Sequence, residues 1–364
     1  MKRILPLFLM GLIWTLPAHS TDYRGSVERA GQYNVAGLPS APIIGWQVTL
    51  GDGVRAGMVE QEGILYVAAL DGIVTALDLA SGQVQWQYYT GYPVLAGLTL
   101  NGDALLVADS GGRLHRLNRL TGQAVWDHAS GGALSATPLL HEGLVWAANL
   151  SGDLIALRLE DGKEVFRQDM KQAIGADLAL SGNTLLLAAE KQIIALDLKT
   201  KKEIWRIALN KPVAGGLAVQ QGRVFVATLG ETLFAIDIAK GRPIWLAPLS
   251  SAVDVPVTLL QGRVFAAGNG GELQSFHAAN GKPSWVGVSG GPFSAPVASK
   301  DVIYVASEDG VVYAFEGNSG EPLWEADLST PLLAPPLPLK NGIVVANEAG
   351  QVTRLLPGGD DNGL

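Results

Sequence analysis

The stretch Leu65-Tyr66-Val67-Ala68-Ala69-Leu70-Asp71-Gly72-Ile73-Val74-Thr75-Ala76-Leu77-Asp78-Leu79-Ala80-Ser81-Gly82-Gln83-Val84-Gln85-Trp86 decides the fold. It opens on a run of apolar residues and turns at Asp71-Gly72. It then alternates through residues 74–79, turns again at Ser81-Gly82 and enters a third extended run at Val84. Asp-Gly and Ser-Gly supply the positive φ that tight hairpins need. Alternation with period two marks a strand with one side turned inward. A fourth strand is expected after a loop, near residues 94–100. No segment between these turns has room for a helix.

The unit recurs along the chain. Trp46, Trp86, Trp126, Trp205, Trp245, Trp285 and Trp324 mark one position, and Phe166 fills the single gap, so that the steps are 39 or 40 residues. Ten residues before the aromatic stand Ala76, Ala156, Ala195, Ala235, Ser275 and Ala314; four before it stand Gly82, Gly122, Gly162, Gly241, Gly281 and Gly320. Asp78, Asp197, Asp237 and Glu316 follow the small residue by two. Four strands at a fixed period of about 40 residues are the signature of a β-propeller blade. An eighth strand pair, at 343–346 and 352–355, lacks its aromatic strand, whereas Ile43-Ile44-Gly45-Trp46-Gln47-Val48 has the aromatic and lacks a pair. The reading is therefore all-β: one eight-bladed propeller over residues 41–356, with four-stranded antiparallel blades. The N-terminal strand joins the C-terminal blade, closing the ring and removing an open sheet edge.

A residue repeated in every blade describes packing. The eight aromatics are expected to wedge between blades, and the Asp residues to cap the following turn through backbone N–H groups. Trp146 lies outside the register and is expected in a different environment, where truncation costs less than at Trp205.

The ends and the composition bound the rest. Residues 1–20 read as a secretory signal peptide: Lys2-Arg3, a short apolar run from Ile4 to Leu16, then Ala18-His19-Ser20 before Thr21. No later run is long enough to span a membrane. Residues 21–40 form a lead-in, and 357–364 a flexible tail. The 364 residues carry 26 Lys+Arg and 34 Asp+Glu, a net charge of −8 that argues against nucleic acid as partner. With no Cys, the chain has no disulfide, thiolate metal site, Cys nucleophile or lipid-modified N-terminal Cys.

The string Ala76-x-Asp78-x-x-x-Gly82-x-x-x-Trp86, with its analogues ending at Trp205 and Trp245, resembles the repeat of PQQ-like, quinoprotein-type β-propellers over about residues 40–356. The lead-in Tyr23-Arg24-Gly25-Ser26, with Arg29-Ala30-Gly31, is similar to the segment before blade one in exported members. The resemblance implies one of two branches. Quinoprotein dehydrogenases hold pyrroloquinoline quinone and calcium over the ring's centre, usually beside a vicinal Cys pair. The outer-membrane assembly factor BamB has the same ring without a cofactor and serves as a scaffold. Short loops and the missing Cys favour the BamB branch. The loops matching its partner contacts, residues 169–175 and 210–213, lack the Leu/Arg and Asp-rich chemistry, so no interface residue is carried over.

The residues themselves offer little chemistry. Gly287-Val288-Ser289-Gly290-Gly291 fits G-x-S-x-G, but no helix follows to build a nucleophile elbow. His115, His128, His141 and His277 lie in different units with no ligand spacing. No catalytic, metal or cofactor-binding set is expected. The loops after strands two and four, on one face, hold Asp52, Asp71, Asp109, Asp177, Glu190, Glu231, Asp254, Glu308, Asp309 and Glu348, against Arg55, Arg113, Lys171, Lys191 and Lys211. The opposite turns hold Arg119, Lys163, Lys199, Lys201, Lys202, Arg223, Lys240, Arg242, Arg263 and Lys282, with acids that include Asp103, Glu160 and Asp161. This is either ordinary solvated turns or a bipolar disc whose acidic face steers a basic partner or gathers cations. At the ring's mouth Tyr92 and Phe293 are candidate aromatic anchors, and Asp254 and Arg55 candidate polar partners. Alternatively, the two rings only cover the inner strands. The expected function is a monomeric, exported, non-enzymatic scaffold of the cell envelope that binds protein partners, such as β-barrel assembly components. A quinone-binding oxidoreductase or sensor, or a propeller that binds a glycan or other small ligand, is the alternative.

Overall fold

Asp78 shows how each turn is set. Its carboxylate accepts the Ser81 backbone N–H at 2.8 Å and the Ser81 hydroxyl at 2.7 Å, which fixes the Ser81-Gly82 corner and holds the carboxyl below its usual value. Asp197 takes the Thr200 N–H at 2.7 Å and Asp237 the Lys240 N–H at 2.9 Å. Repeated around the chain, these corners give eight antiparallel blades arranged in a ring. The computed structural model describes residues 20–21, 23–55, 57–288 and 290–358. The signal expected at 1–20 lies, but for Ser20, outside the described residues, as do Ser289 and most of the expected tail.

Blade 1 comprises Val59–Gln61, Ile64–Ala68, Ile73–Asp78 and Val84–Tyr89, from the ring's centre outward. The strand expected near 94–100 is the short Thr99–Asn101, and it pairs with Ala104–Ala108 as the inner strand of blade 2. Blades 2 to 7 cover residues 99–129, 139–169, 179–208, 218–248, 258–288 and 297–327. Blade 8 joins Leu337–Leu339, Gly342–Ala346 and Gln351–Leu356 to Ile43–Thr49, with Trp46 opposite Arg354. The N-terminal strand thus closes the ring. Middle strands are buried on both sides, as in Thr184–Ala189, because a blade lies against each face. Outer strands alternate exposed and half-buried residues.

Cross-strand register explains the repeated Ala. In blade 1, Tyr66 faces Ala76 and Ala76 faces Trp86, so the small residue lies between two rings whose centroids are 5.9 Å apart. Blades 5 and 7 repeat this with Phe225–Trp245 at 6.0 Å and Tyr304–Trp324 at 5.8 Å. Where the second strand carries Leu106 or Val344 instead, the third carries Arg116 or Arg354 at the Ala position.

The repeated Gly belongs to the junction between blades. Each indole lies on the corner of the next blade and donates Nε1–H to a carbonyl there: Trp86 to Arg119 at 2.9 Å, Trp126 to Leu159 at 2.8 Å, Trp205 to Ile238 at 2.6 Å, Trp245 to Ala278 at 3.0 Å. Trp46 does the same to Leu79 of blade 1 at 2.9 Å. A Cβ on Gly122, Gly162, Gly241 or Gly281 would stand 2.5–2.7 Å from the facing ring, and all four have positive φ, so only glycine fits. Trp324 departs from the pattern. Its Nε1–H is received at 2.7 Å by Leu38 of the lead-in.

Trp146 corrects an expectation. It is 1% exposed, more deeply buried than Trp205, and packs 5.4 Å from Phe166. Blade 3 has exchanged the large and smaller rings between its second and outer strands, so Trp146 is central to the packing there.

Candidate functional site

The lead-in decides the site. Rather than approaching blade 1 from outside, it crosses the ring's centre. Ser20–Thr21 pairs with the inner strand of blade 1, and Gln32–Tyr33 runs parallel to Val297–Ser299 of blade 7. Between them, the carbonyls of Val27, Glu28, Ala30 and Gly31 accept N–H groups of Leu180, Val219, Leu259 and Ala298 at 2.8–3.0 Å. These four belong to the inner strands of blades 4, 5, 6 and 7, whose inward edges need partners once water is excluded.

Two buried arginines fasten this plug. Arg24 Nη2 donates to the Val257 carbonyl at 2.6 Å and the Thr258 hydroxyl at 2.9 Å, and Nη1 to the Pro296 carbonyl at 3.4 Å. Arg29 donates to the carbonyls of Tyr23 at 2.9 Å, Pro138 at 3.1 Å and Leu178 at 3.4 Å. Both are almost fully buried and hold positive φ, 55° and 56°. Burial lowers the Arg24 pKa, but five donors in a fixed fork match a ring of carbonyls well. Tyr23 completes the plug. Its ring lies under the Arg29 guanidinium, 5.2 Å from centroid to carbon, and against Gly57 and Gly97, where a Cβ would collide with it. Its hydroxyl bonds Asp177, and burial together with that carboxylate raises the phenol's pKa.

Above the plug the ring opens into a funnel of about 250 Å³, lined by Arg55, Ser135, Thr137, Asp177, Asp254 and, as its floor, Tyr23. Asp177 also accepts the Thr137 backbone N–H at 2.7 Å, so its carboxylate is already engaged. Of the expected site residues, Arg55 and Asp254 are brought together in this funnel, both exposed. Arg55 stands 3.8 Å from Glu348 on the rim. Tyr92 is 56% exposed and lies over Gly111, outside the funnel lining. Phe293 is 5% exposed and packs edge-on to Tyr313, 5.8 Å away, so its ring covers the core between blades 6 and 7 and offers no free face. Among the charged sets, Asp109, Asp177 and Arg119 prove buried, Arg119 against Glu62. Tyr23, Arg24 and Arg29 are the central residues that the repeat pattern does not place, and Asp177, expected only as one of the acids on this face, joins them. The cluster of two arginines and an aromatic within a short lead-in was the available signal.

His115 belongs to a separate buried chain. Its Nε2 is 3.0 Å from Asp109 and its Nδ1 3.2 Å from the Tyr88 hydroxyl, joining blade 2 to the outer strand of blade 1.

Comparison with known proteins then fixes the lineage. The family model described as outer membrane protein assembly factor BamB matches residues 43–206, 189–292 and 286–357. The chain belongs to this BamB family. No curated protein matches it. Among solved structures it is similar to BamB from Moraxella catarrhalis, with 19% identity, a TM-score of 0.75, and coverage of 87% of this chain and 100% of that one. It is also similar to quinohemoprotein alcohol dehydrogenase from Comamonas testosteroni, with 15% identity, a TM-score of 0.81, and coverage of 94% and 81%. The computationally designed Ika8 protein gives 16% identity and a TM-score of 0.76 over 85% of this chain and 97% of that one. At such identities the likenesses show the fold alone.

A quinone with calcium does not fit this member of the BamB family. The funnel is smaller than the roughly 300–1,000 Å³ of ordinary ligand clefts. Its floor is filled by Tyr23. Asp177 is committed to Tyr23 and Thr137, and among the described residues no three His, Cys, Asp or Glu side chains gather to hold a metal.

Proposed function

We propose that this chain is a non-enzymatic scaffold of the cell envelope that holds a protein partner on its funnel face. The observation that carries the reading is the plug: the ring's centre, where a cofactor would sit, is filled by Tyr23, Arg24 and Arg29. What remains is a shallow polar mouth with Arg55 and Asp254, the exposed Tyr92 near it, and exposed acids Asp52, Glu190, Glu231, Glu308 and Glu348 around it. A rigid rim of short loops loses little freedom on binding, and its negative field favours a basic partner surface. The family's description points to outer membrane protein assembly, so components of that machinery are the first partners to test.

The experiment is capture of purified β-barrel assembly components by the immobilised chain. Asp254→Lys combined with Tyr92→Ala and Arg55→Glu should weaken capture at least tenfold while the circular dichroism spectrum is unchanged. Undiminished capture by this variant would remove the funnel face as the site. Dye reduction by the purified protein after loading with pyrroloquinoline quinone and Ca²⁺ would replace the scaffold with an oxidoreductase.

A further inference from the structure

The face opposite the funnel is formed by the turns after the first and third strands of each blade, and its charges are not evenly matched. In blades 1 to 3, apart from Lys163, cations meet carboxylates: Arg119 pairs with Glu62, Arg116 with Asp103 at 3.1 Å, and Arg158 with Asp161 at 3.3 Å. In blades 4 to 6 the same turns carry Lys199, Lys201, Lys202, Arg223, Lys240, Arg242, Arg263 and Lys282. Among the described residues none of these eight has a carboxylate oxygen within 4.0 Å. The carboxylates of this sector are otherwise engaged. Asp197 and Asp237 cap their own turns, and Glu203 pairs with Arg206 at 2.7 Å. Lys199, Lys202, Lys240, Arg242 and Lys282 are exposed.

Apolar side chains accompany the cations. Ile204 follows Lys202 and is 47% exposed; Ile244 follows Arg242 and is 43% exposed. The cations come from separate turns of three consecutive blades, so they spread over a rim and do not converge on one cavity. Such an array suits a planar field of anions better than a single small ligand.

We propose that the far face of blades 4–6 docks on an anionic lipid bilayer. Headgroup phosphates meet the exposed lysines and Arg242, and Ile204 and Ile244 enter the interfacial layer, where apolar and basic groups act together. The acidic funnel face points the other way and is repelled from the same surface, so the disc lies with its mouth turned outward. This inference does not depend on the partner-binding reading.

Flotation of the full chain with vesicles tests it. With vesicles of phosphatidylcholine containing about a third phosphatidylglycerol, the chain should float at 50 mM salt and be released at 500 mM, as the Debye length shrinks to a few ångströms. It should not float with phosphatidylcholine alone. Each basic residue near such a surface strengthens binding roughly fivefold, so Lys199→Glu, Lys202→Glu, Lys240→Glu and Lys282→Glu together should weaken it by more than about a hundredfold. Lys171→Glu with Lys191→Glu, reversals on the opposite, funnel face, should leave flotation within about threefold. Ile204→Ser with Ile244→Ser should weaken flotation of the folded protein as well. Equal flotation of the fourfold variant and the parent would overturn the proposal. So would absence of flotation at low salt, or salt-sensitive binding to a soluble acidic protein or to a second copy of the chain in its place.

Discussion

The junction between blades 4 and 5 and that between blades 3 and 4 solve the same packing problem differently. At the first, Trp205 lies on Gly241 and donates to the Ile238 carbonyl; the second strand of blade 4 contributes only Leu186. At the second, the outer ring is Phe166, the large indole has moved inward to Trp146, and the glycine position is taken by Lys201. The Lys201 ammonium stands 5.4 Å over the Phe166 ring, and its φ is 57°. The comparison teaches that what is kept is the volume across three strands and the positive φ at the corner. The hydrogen bond and the glycine are dispensable when a smaller ring leaves room for a side chain.

The largest effect should come from Trp146→Ala. Removing a fully buried indole should cost about 3–5 kcal/mol, at least as much as Trp205→Ala, measured by denaturant titration. A clearly smaller loss at Trp146 would break the claim that the two rings exchanged roles. Next, Gly241→Ala should cost roughly 1–3 kcal/mol, since a Cβ meets Trp205 at 2.5 Å on a backbone with φ of 62°. The reverse change at the other junction, Lys201→Gly, should stay within about 1 kcal/mol, relief of strain offsetting the lost cation–ring contact. Similar costs for the two would erase the distinction between the junctions.

A finer contrast is indole against phenyl. Trp205→Phe removes the bond to Ile238 and should cost about 1 kcal/mol beyond its loss of volume. Among the described residues Trp146 Nε1 has no hydrogen-bond partner, so Trp146→Phe should lose only volume. The smallest effect concerns the next junction back, between blades 2 and 3, where Glu164 receives Arg167 at 2.7 Å and lies 3.0 Å from His128. Arg167, then His128, holds its carboxyl below the ordinary value of 4.5. A depressed folded pKa means stability that is present above 4.5 and lost as pH falls through the lowered value. Glu164→Gln should therefore cost less than about 1 kcal/mol at pH 7, the pair being partly exposed. The difference from the parent should close in acid. A difference that persists at pH 2 would assign the effect to packing.

Arg55 and Asp254 could be placed at the ring's mouth from the sequence because their loops have fixed positions in the repeat. Phe293 shares that placement, yet its ring turns inward to Tyr313; loop position does not fix a rotamer. The lead-in was harder still. Arg24 bonds residues more than two hundred positions away, and Arg29 residues more than a hundred away, in contacts made once.

By itself, then, the sequence determined the all-β class, the eight blades, the closing strand at Trp46 and the corner motif of Asp, Gly and Trp. Every unit makes those contacts, so they are written into the chain at a period of 39 or 40 residues. Only the tertiary structure decided that residues 23–33 plug the ring, that Trp146 and Phe166 trade places, and that, among the described residues, the eight cations in the far-face turns of blades 4–6 have no carboxylate partner. Each of these depends on groups distant in sequence meeting at a single place, and a contact made once leaves no echo in the repeat.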